Sequence, residues 1–303
     1  MPYGVAVKMR VESWLENVTQ YREEMQPLET AIKPNLRQLT GVRAVVFDIY
    51  GTLLISGSGD VGSADTGGRD SLVRQSLEES GLLERLDSTP KAADLQRSIQ
   101  RINADRVTPD CVKPEVDIVE VWRDVLTQSG WTNEPSEIEM VVRLAARYEA
   151  LANPTWPMPG SVQLLQHLKQ HGFTLGIVSN AQIFTLPLMN NLMDCNGLKD
   201  AGFSLDLCVF SNRYRQAKPG PRLFEVLRRG LLNQGILPNE AVYVGNDMLN
   251  DVWAASEAGL RTAWFAGDSR SCRPREDDSR CRGLVPDVVL TSLMQLPECL
   301  PIS

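Results

Sequence analysis

An α/β fold is expected for this chain: a doubly wound, mostly parallel sheet carrying one helical insertion. Three observations point to it. Short apolar runs that end on a polar residue alternate with segments whose apolar positions recur every three or four residues. Residues 69–152 break that alternation and read as helix almost throughout. Stretches rich in Gly, Ser and Pro bound this helical block on both sides.

Composition sets the class. Of 303 residues, 43% are hydrophobic and 23% charged, which is globular usage with enough chain for a sizeable core. The net charge of −7 disfavours nucleic acid and anionic membrane as partners, because both attract basic patches. Residues 1–10 hold no apolar run of a secretory signal, and nothing approaches a membrane span, so a cytoplasmic protein is expected. Six scattered cysteines without a Cys-x-x-Cys pair read as free thiols.

In chain order, Trp14–Tyr21 with Met25 and Leu28 has the spacing of an amphipathic helix packed outside the core, ended by Pro34. Residues 43–48 read as a buried strand that stops on Asp48 before a Gly51-Thr52 turn. Ser56–Gly68 reads as a flexible linker; it lacks the Gly-Lys-Ser/Thr ending of a phosphate loop. Helices are expected over 71–83, 92–102, 116–129 and 135–152, and the breakers of 153–160 close the block. Further helices follow at 161–171, 186–192, 222–230 and 251–258, and strands at 173–180, 207–210, 241–247, 261–265 and 287–290. His167 and His171, four apart beside Lys169 and Gln170, read as a solvated face rather than a metal pair. The mixed-charge stretch 267–283 reads as a solvated surface loop.

Three of these strands end in Asp48, Ser179 and Asp247, and Lys218 follows a fourth. In a doubly wound sheet all carboxyl ends lie on one edge, so these groups converge. Carboxylate, hydroxyl, ammonium and a second acid suit an anionic phosphoryl group beside a hard cation. Mg²⁺ takes one or two carboxylates plus waters and substrate phosphate. Lys and Ser donors hold phosphoryl oxygens, and a carboxylate can itself be the nucleophile.

Four segments in this order resemble the motifs of the haloacid dehalogenase (HAD) superfamily: Phe47-Asp48-Ile49-Tyr50-Gly51-Thr52-Leu53, Val178-Ser179-Asn180, Lys218-Pro219 and Gly245-Asn246-Asp247-Met248-Leu249-Asn250-Asp251. The resemblance implies a HAD-like Rossmannoid core over 43–55 and 157–303, a helical cap domain over 56–156 and an N-terminal extension over 1–42. It implies a hydrolase with Asp48 as nucleophile and Ser179 and Lys218 as phosphoryl ligands; Tyr50, Thr52 and Asn180 belong to the same motifs. Asp48, Asp247 and the Tyr50 backbone carbonyl would hold Mg²⁺, and Asp251 would complete that site or hold Lys218. A Mg²⁺-dependent phosphatase of a small phosphorylated metabolite is the leading expectation. One departure matters: phosphatases of the superfamily usually carry a second Asp where this chain has Tyr50, and a phenol of ordinary pKa near 10 is a poor base. Asp-x-Tyr-Gly-Thr resembles the metal-independent 2-haloacid dehalogenase branch, which is the alternative, with a catalytically impaired binding or regulatory member as the third. The sequence leaves substrate and oligomeric state open.

Overall fold

A computed structural model describes residues 23–58, 68–132 and 137–301. Its strands are β1 (Ala44–Phe47), β2 (Leu54–Ser56), β3 (Thr155–Pro157), β4 (Thr174–Ser179), β5 (Phe203–Phe210), β6 (Ala241–Gly245), β7 (Arg261–Phe265) and β8 (Val288–Leu290). Six of them form one sheet in the order β5-β4-β1-β6-β7-β8, with every pairing parallel. Such strands are covered on both faces and read as unbroken apolar runs. Along β1 the residues alternate between the two faces. Val45 and Phe47 join Val242 and Val244 in one cluster, while Ala44 and Val46 join Tyr243 and Leu227 in the other.

The helices of the insertion are α1 (Asp70–Glu79), α2 (Ala92–Arg106), α3 (Ile118–Gln128) and α4 (Ile138–Ala152). α4 packs on α1 and α3, and α2 packs on α3. Trp122 is fully buried and meets Tyr148 edge to face at 5.3 Å, an arrangement aromatic quadrupoles favour. α3 is started by Asp117, whose carboxylate accepts the Val119 N–H. The core helices are α5 (Ser161–Gln170), α6 (Thr185–Leu192), α7 (Ser211–Tyr214), α8 (Pro221–Asn233), α9 (Ala254–Glu257) and α10 (Leu296–Cys299). The expected helix at 251–258 is instead a π-helical turn over Met248–Trp253 that runs into α9.

Two further corrections concern segments read as irregular or helical. The breakers at 153–160 contain β3, which pairs antiparallel with β2 from Leu54↔Pro157 to Ser56↔Thr155. The chain therefore enters and leaves the insertion along one two-stranded ribbon, pinned by Ser56 Oγ donating to Asn153 Oδ1 at 2.9 Å. The helix expected at the N-terminus lies largely outside the described residues, and 23–40 carries no helix, only irregular backbone with one bridge at Asn35. That arm follows the far edge of the sheet: Asn35 exchanges backbone hydrogen bonds with Val289, and Leu39 N–H donates to the Cys299 carbonyl. The six cysteines are free thiols, as expected. Among the described residues no helix is long and apolar enough to cross a membrane.

Candidate active site

The carboxyl ends of β1, β4 and β6 meet at a small polar cleft lined by Asp48, Tyr50, Ser179, Asn180, Lys218, Asn246, Asp247, Asn250 and Asp251. Asp48 leaves the end of β1 with its N–H bonded to the Val244 carbonyl of β6. The chain turns at once through Gly51, whose φ of +81° is left-handed. A Cβ there would lie 2.6 Å from Ser271 Cβ and 2.7 Å from Asn246 Nδ2. Gly245 is needed for a similar reason, since its Cβ would lie 2.4 Å from Asp251 Cγ.

Lys218 is the electrostatic centre. Its ammonium is buried and donates to Asp48 Oδ1 at 2.8 Å, Asp251 Oδ1 at 2.5 Å and the Tyr243 hydroxyl at 3.0 Å. Its own N–H donates to Asn180 Oδ1, which fixes the loop that carries it. Burial alone would lower the lysine pKa, but the charges of Asp251 and Asp48 outweigh it and hold the ammonium protonated. Asp251 is pushed up to about 7, chiefly by burial, with Lys218 opposing and Asp48 reinforcing the rise. Both Asp251 oxygens are engaged: Oδ1 takes Lys218, and Oδ2 takes the Asp247 N–H. Of the two roles expected for Asp251, this geometry supports holding Lys218. Among the described residues, nothing hydrogen-bonds Asp48 Oδ2, which leaves one oxygen of this cleft-lining carboxylate unengaged.

Asp247 opens the turn after β6. Its Oδ1 accepts the N–H groups of Leu249 and Asn250, and its Oδ2 accepts Asn250 Nδ2. The Arg275 guanidinium closes on the same carboxylate through Nε at 3.1 Å from both oxygens and Nη2 at 2.5 Å from Oδ2. Burial works to raise this carboxyl, yet Arg275 and the backbone donors hold it below the usual range. Asn250 Oδ1 is buried with no hydrogen-bond partner. An amide flip would not help, because only the NH₂ can donate to Asp247.

Comparison with known proteins decides the family. A sequence model described as haloacid dehalogenase-like hydrolase matches residues 42–259. The chain belongs to the haloacid dehalogenase-like hydrolases. Among this hydrolase's curated relatives is a glyceraldehyde 3-phosphate phosphatase of Methanopyrus kandleri, 30% identical over 132 residues, covering 43% of this chain and 51% of that protein. A phosphoserine phosphatase of Thermus thermophilus is 28% identical over 165 residues, covering 52% of this chain and 57% of that protein. The chain thus spans about half the length of the curated relatives it matches. A solved 2-haloacid dehalogenase of Pseudomonas syringae shares the fold, with a TM-score of 0.56 at 21% identity over 85% of this chain and 97% of that one.

The structure of this haloacid dehalogenase-like hydrolase brings Asp48, Ser179, Asn180, Lys218, Asp247 and Asp251 together. Ser179 Oγ donates to the Asn180 carbonyl. Thr52 does not line the cleft; its hydroxyl is buried and donates to Asn246 Oδ1, tying the β1 turn to the β6 turn. Tyr50 lines the cleft, with its phenol oxygen 3.1 Å from Thr185 Oγ1. Three participants escaped the sequence reading. Tyr243 lies within β6 and showed no motif, yet its hydroxyl bridges Lys218 and the Val178 carbonyl. Arg275 comes from the stretch read as a solvated loop, which is instead anchored to the site: Arg273 N–H donates to the Asn246 carbonyl, and Met248 N–H to the Arg273 carbonyl.

Glu115 is the third, and it joins the insertion to the core of the hydrolase. The backbone of Lys113 and Glu115 pairs with Arg215 and Ala217, just ahead of Lys218. The Glu115 carboxylate accepts Ser211 Oγ at 2.6 Å and Gln182 Nε2 at 3.2 Å, beside the Ser179-Asn180 turn. Burial pushes its carboxyl up to about 6 from 4.5, against the weaker pull of Ser211 and the positive charges of Lys113 and Arg215. A carboxyl raised on folding stabilises fully below its unfolded pKa, and that contribution is lost as pH climbs through the folded value. Wild type should therefore lose up to about 2 kcal/mol between pH 4.5 and 6 from this group. Glu115→Gln should lack that loss; calorimetric melting of both proteins on either side of the window checks it, and parallel curves would refute it.

Proposed function

We propose that this hydrolase is a phosphatase of small phosphorylated metabolites that acts through an aspartyl-phosphate on Asp48. The observation that carries the reading is Lys218 gripping Asp48 Oδ1 at 2.8 Å while Oδ2 is left unengaged in a cleft of polar side chains. The names of the curated relatives, both acting on small phosphorylated compounds, support it.

The donor set fits a hard divalent cation. Among the described residues no three His, Cys, Asp or Glu side chains converge to enclose an ion by themselves. Mg²⁺ does not ask for such a cage; it keeps waters and takes one or two carboxylates with substrate phosphate. Asp48, Asp247, the Tyr50 carbonyl and the orphaned Asn250 Oδ1 would hold it. Bound there, it would offset the repulsion between two carboxylates and an incoming phosphate.

The residues then divide the work. Asp48 Oδ2 attacks phosphorus, the bond from phosphorus to the ester oxygen breaks, and the departing alkoxide takes a proton from water. A second water cleaves the acyl phosphate to inorganic phosphate and restores Asp48. Lys218 fixes the nucleophile by its Oδ1, and Ser179 and Asn180 offer donors to phosphoryl oxygens. The helical insertion acts as a cap over the cleft, pinned beside Asn180 by Glu115. With Tyr50 where an acid is usual, proton transfer falls to water, so turnover should be slow with poor leaving groups. Hydrolysis of a panel of phosphomonoesters should vanish in EDTA and return with Mg²⁺; activity that survives EDTA would overturn the metal-dependent reading. The Tyr50 position favours one rival, a metal-independent dehalogenase, which halide release from 2-chloropropionate would reveal.

A further inference from the structure

Asp247 is saturated. A carboxylate offers about four lone-pair sites, and this one already meets Leu249 N–H, Asn250 N–H, Asn250 Nδ2 and the two-pronged Arg275 guanidinium. A cation cannot reach it unless one donor withdraws. The Leu249 and Asn250 donors belong to the same turn as Asp247 and are fixed with it. Arg275 is different: its side chain arrives from the loop between β7 and β8 and is 34% exposed, against 6% for Asp247. Its backbone sits in the left-handed region at φ +53°, an uncommon conformation for a side chain other than Gly, Asn or Asp. Beside this pair stands Asn250 Oδ1, a second hard oxygen, buried and unpartnered, on a residue that lines the same cleft.

We infer that Arg275 is a resident counter-cation of the site, which holds the Asp247 carboxylate aligned and which a divalent metal must displace. The guanidinium and the metal compete for one carboxylate. Arg275 is thus a positioning residue that sets metal affinity, and the loop carrying it, anchored through Arg273 to Asn246 and Met248, acts as the latch. The inference rests on the reading of Asp247 as a metal-facing carboxylate.

Binding of Mn²⁺ alone, followed by the loss of free-ion EPR signal, tests it on the full chain. Arg275→Gln removes the fork. Arg275→Gly does so while relaxing the left-handed backbone, so at least one of the two should keep the fold. Both should bind Mn²⁺ about tenfold more tightly than wild type. Arg275→Lys, which keeps the charge without the paired geometry, should fall between. Arg280→Gln is the control: it removes a positive charge from the same loop, where Arg280 pairs with Asp278 and stacks on Trp253, without touching Asp247. It should change the affinity less than about twofold.

Equal tightening by Arg280→Gln and the Arg275 variants would reduce the effect to net charge and overturn the inference. Unchanged or weakened binding in the Arg275 variants, with wild type binding Mn²⁺, would overturn it and leave the metal reading intact. Absence of Mn²⁺ binding in every protein would remove both.

Discussion

Replacing Asp48 with Asn is expected to lower phosphomonoester turnover by roughly 10⁴-fold or more. The amide is close in size to the carboxylate, and its oxygen can still accept from Lys218. Loss of activity would therefore report loss of the nucleophile rather than collapse of the cleft. Lys218 keeps a second anionic partner in Asp251 at 2.5 Å, so the fold should survive. Near-wild-type circular dichroism with no turnover, and no phosphorylated protein by mass spectrometry, is the expected pair of results. Substantial residual turnover in D48N would place the chemistry elsewhere.

The second large effect concerns stability. Lys218→Met keeps the length and apolar stem of the side chain but removes the positive charge that sits between two buried carboxylates, 2.8 and 2.5 Å away. Breaking a buried pair from one side costs about 3–5 kcal/mol. Asp251, already pushed up to about 7 mainly by burial, would then take a proton at neutral pH, which caps the penalty. Urea unfolding should show the loss. A double variant carrying Lys218→Met and Asp251→Asn should recover part of it, because the unpaired charge disappears with the cation. A single variant costing less than about 1 kcal/mol would show that the three groups do not form the coupled unit described.

What the sequence disclosed, and what it hid, follows from the range of each interaction. β1, β4 and β6 were legible because a parallel strand buried on both faces needs an uninterrupted apolar run, and a polar stop marks its functional end. Helices of the insertion were legible from spacing alone, with α1 and α2 displaced by a few residues at their ends. The ribbon of β2 and β3 was not. Each strand has only three residues, and Pro154 and Pro157 read as breakers although β3 is paired on one side alone, as prolines in strands usually are. The N-terminal arm shows the converse: its apolar spacing suited a helix, but over residues 23–40 the backbone is irregular, bonding to Val289 and Cys299 far along the chain. Arg275 was hidden because composition describes a loop by its average. Six polar or charged residues in a row, Arg275–Arg280, look solvated, and nothing local says that one guanidinium turns inward to a carboxylate 28 positions away. Glu115 and Tyr243 were hidden for the same reason: each acts through partners that only the fold supplies.

The ribbon that joins the insertion to the sheet bears on descent. Ser56 and Thr155 are neighbours across its last rung, so the polypeptide leaves the core and returns at essentially one point. Whatever hangs from that point is, to the core, a closed loop. The entropy of closing such a loop grows only logarithmically, by about 0.6 kcal/mol for each doubling of length. Exchange of the whole insertion for a longer, shorter or differently shaped one would give up the Glu115 contacts but leave the sheet and its polar edge in register. Selection could then retune what reaches Asp48 by recombination at a single joint, without renegotiating the chemistry beneath it.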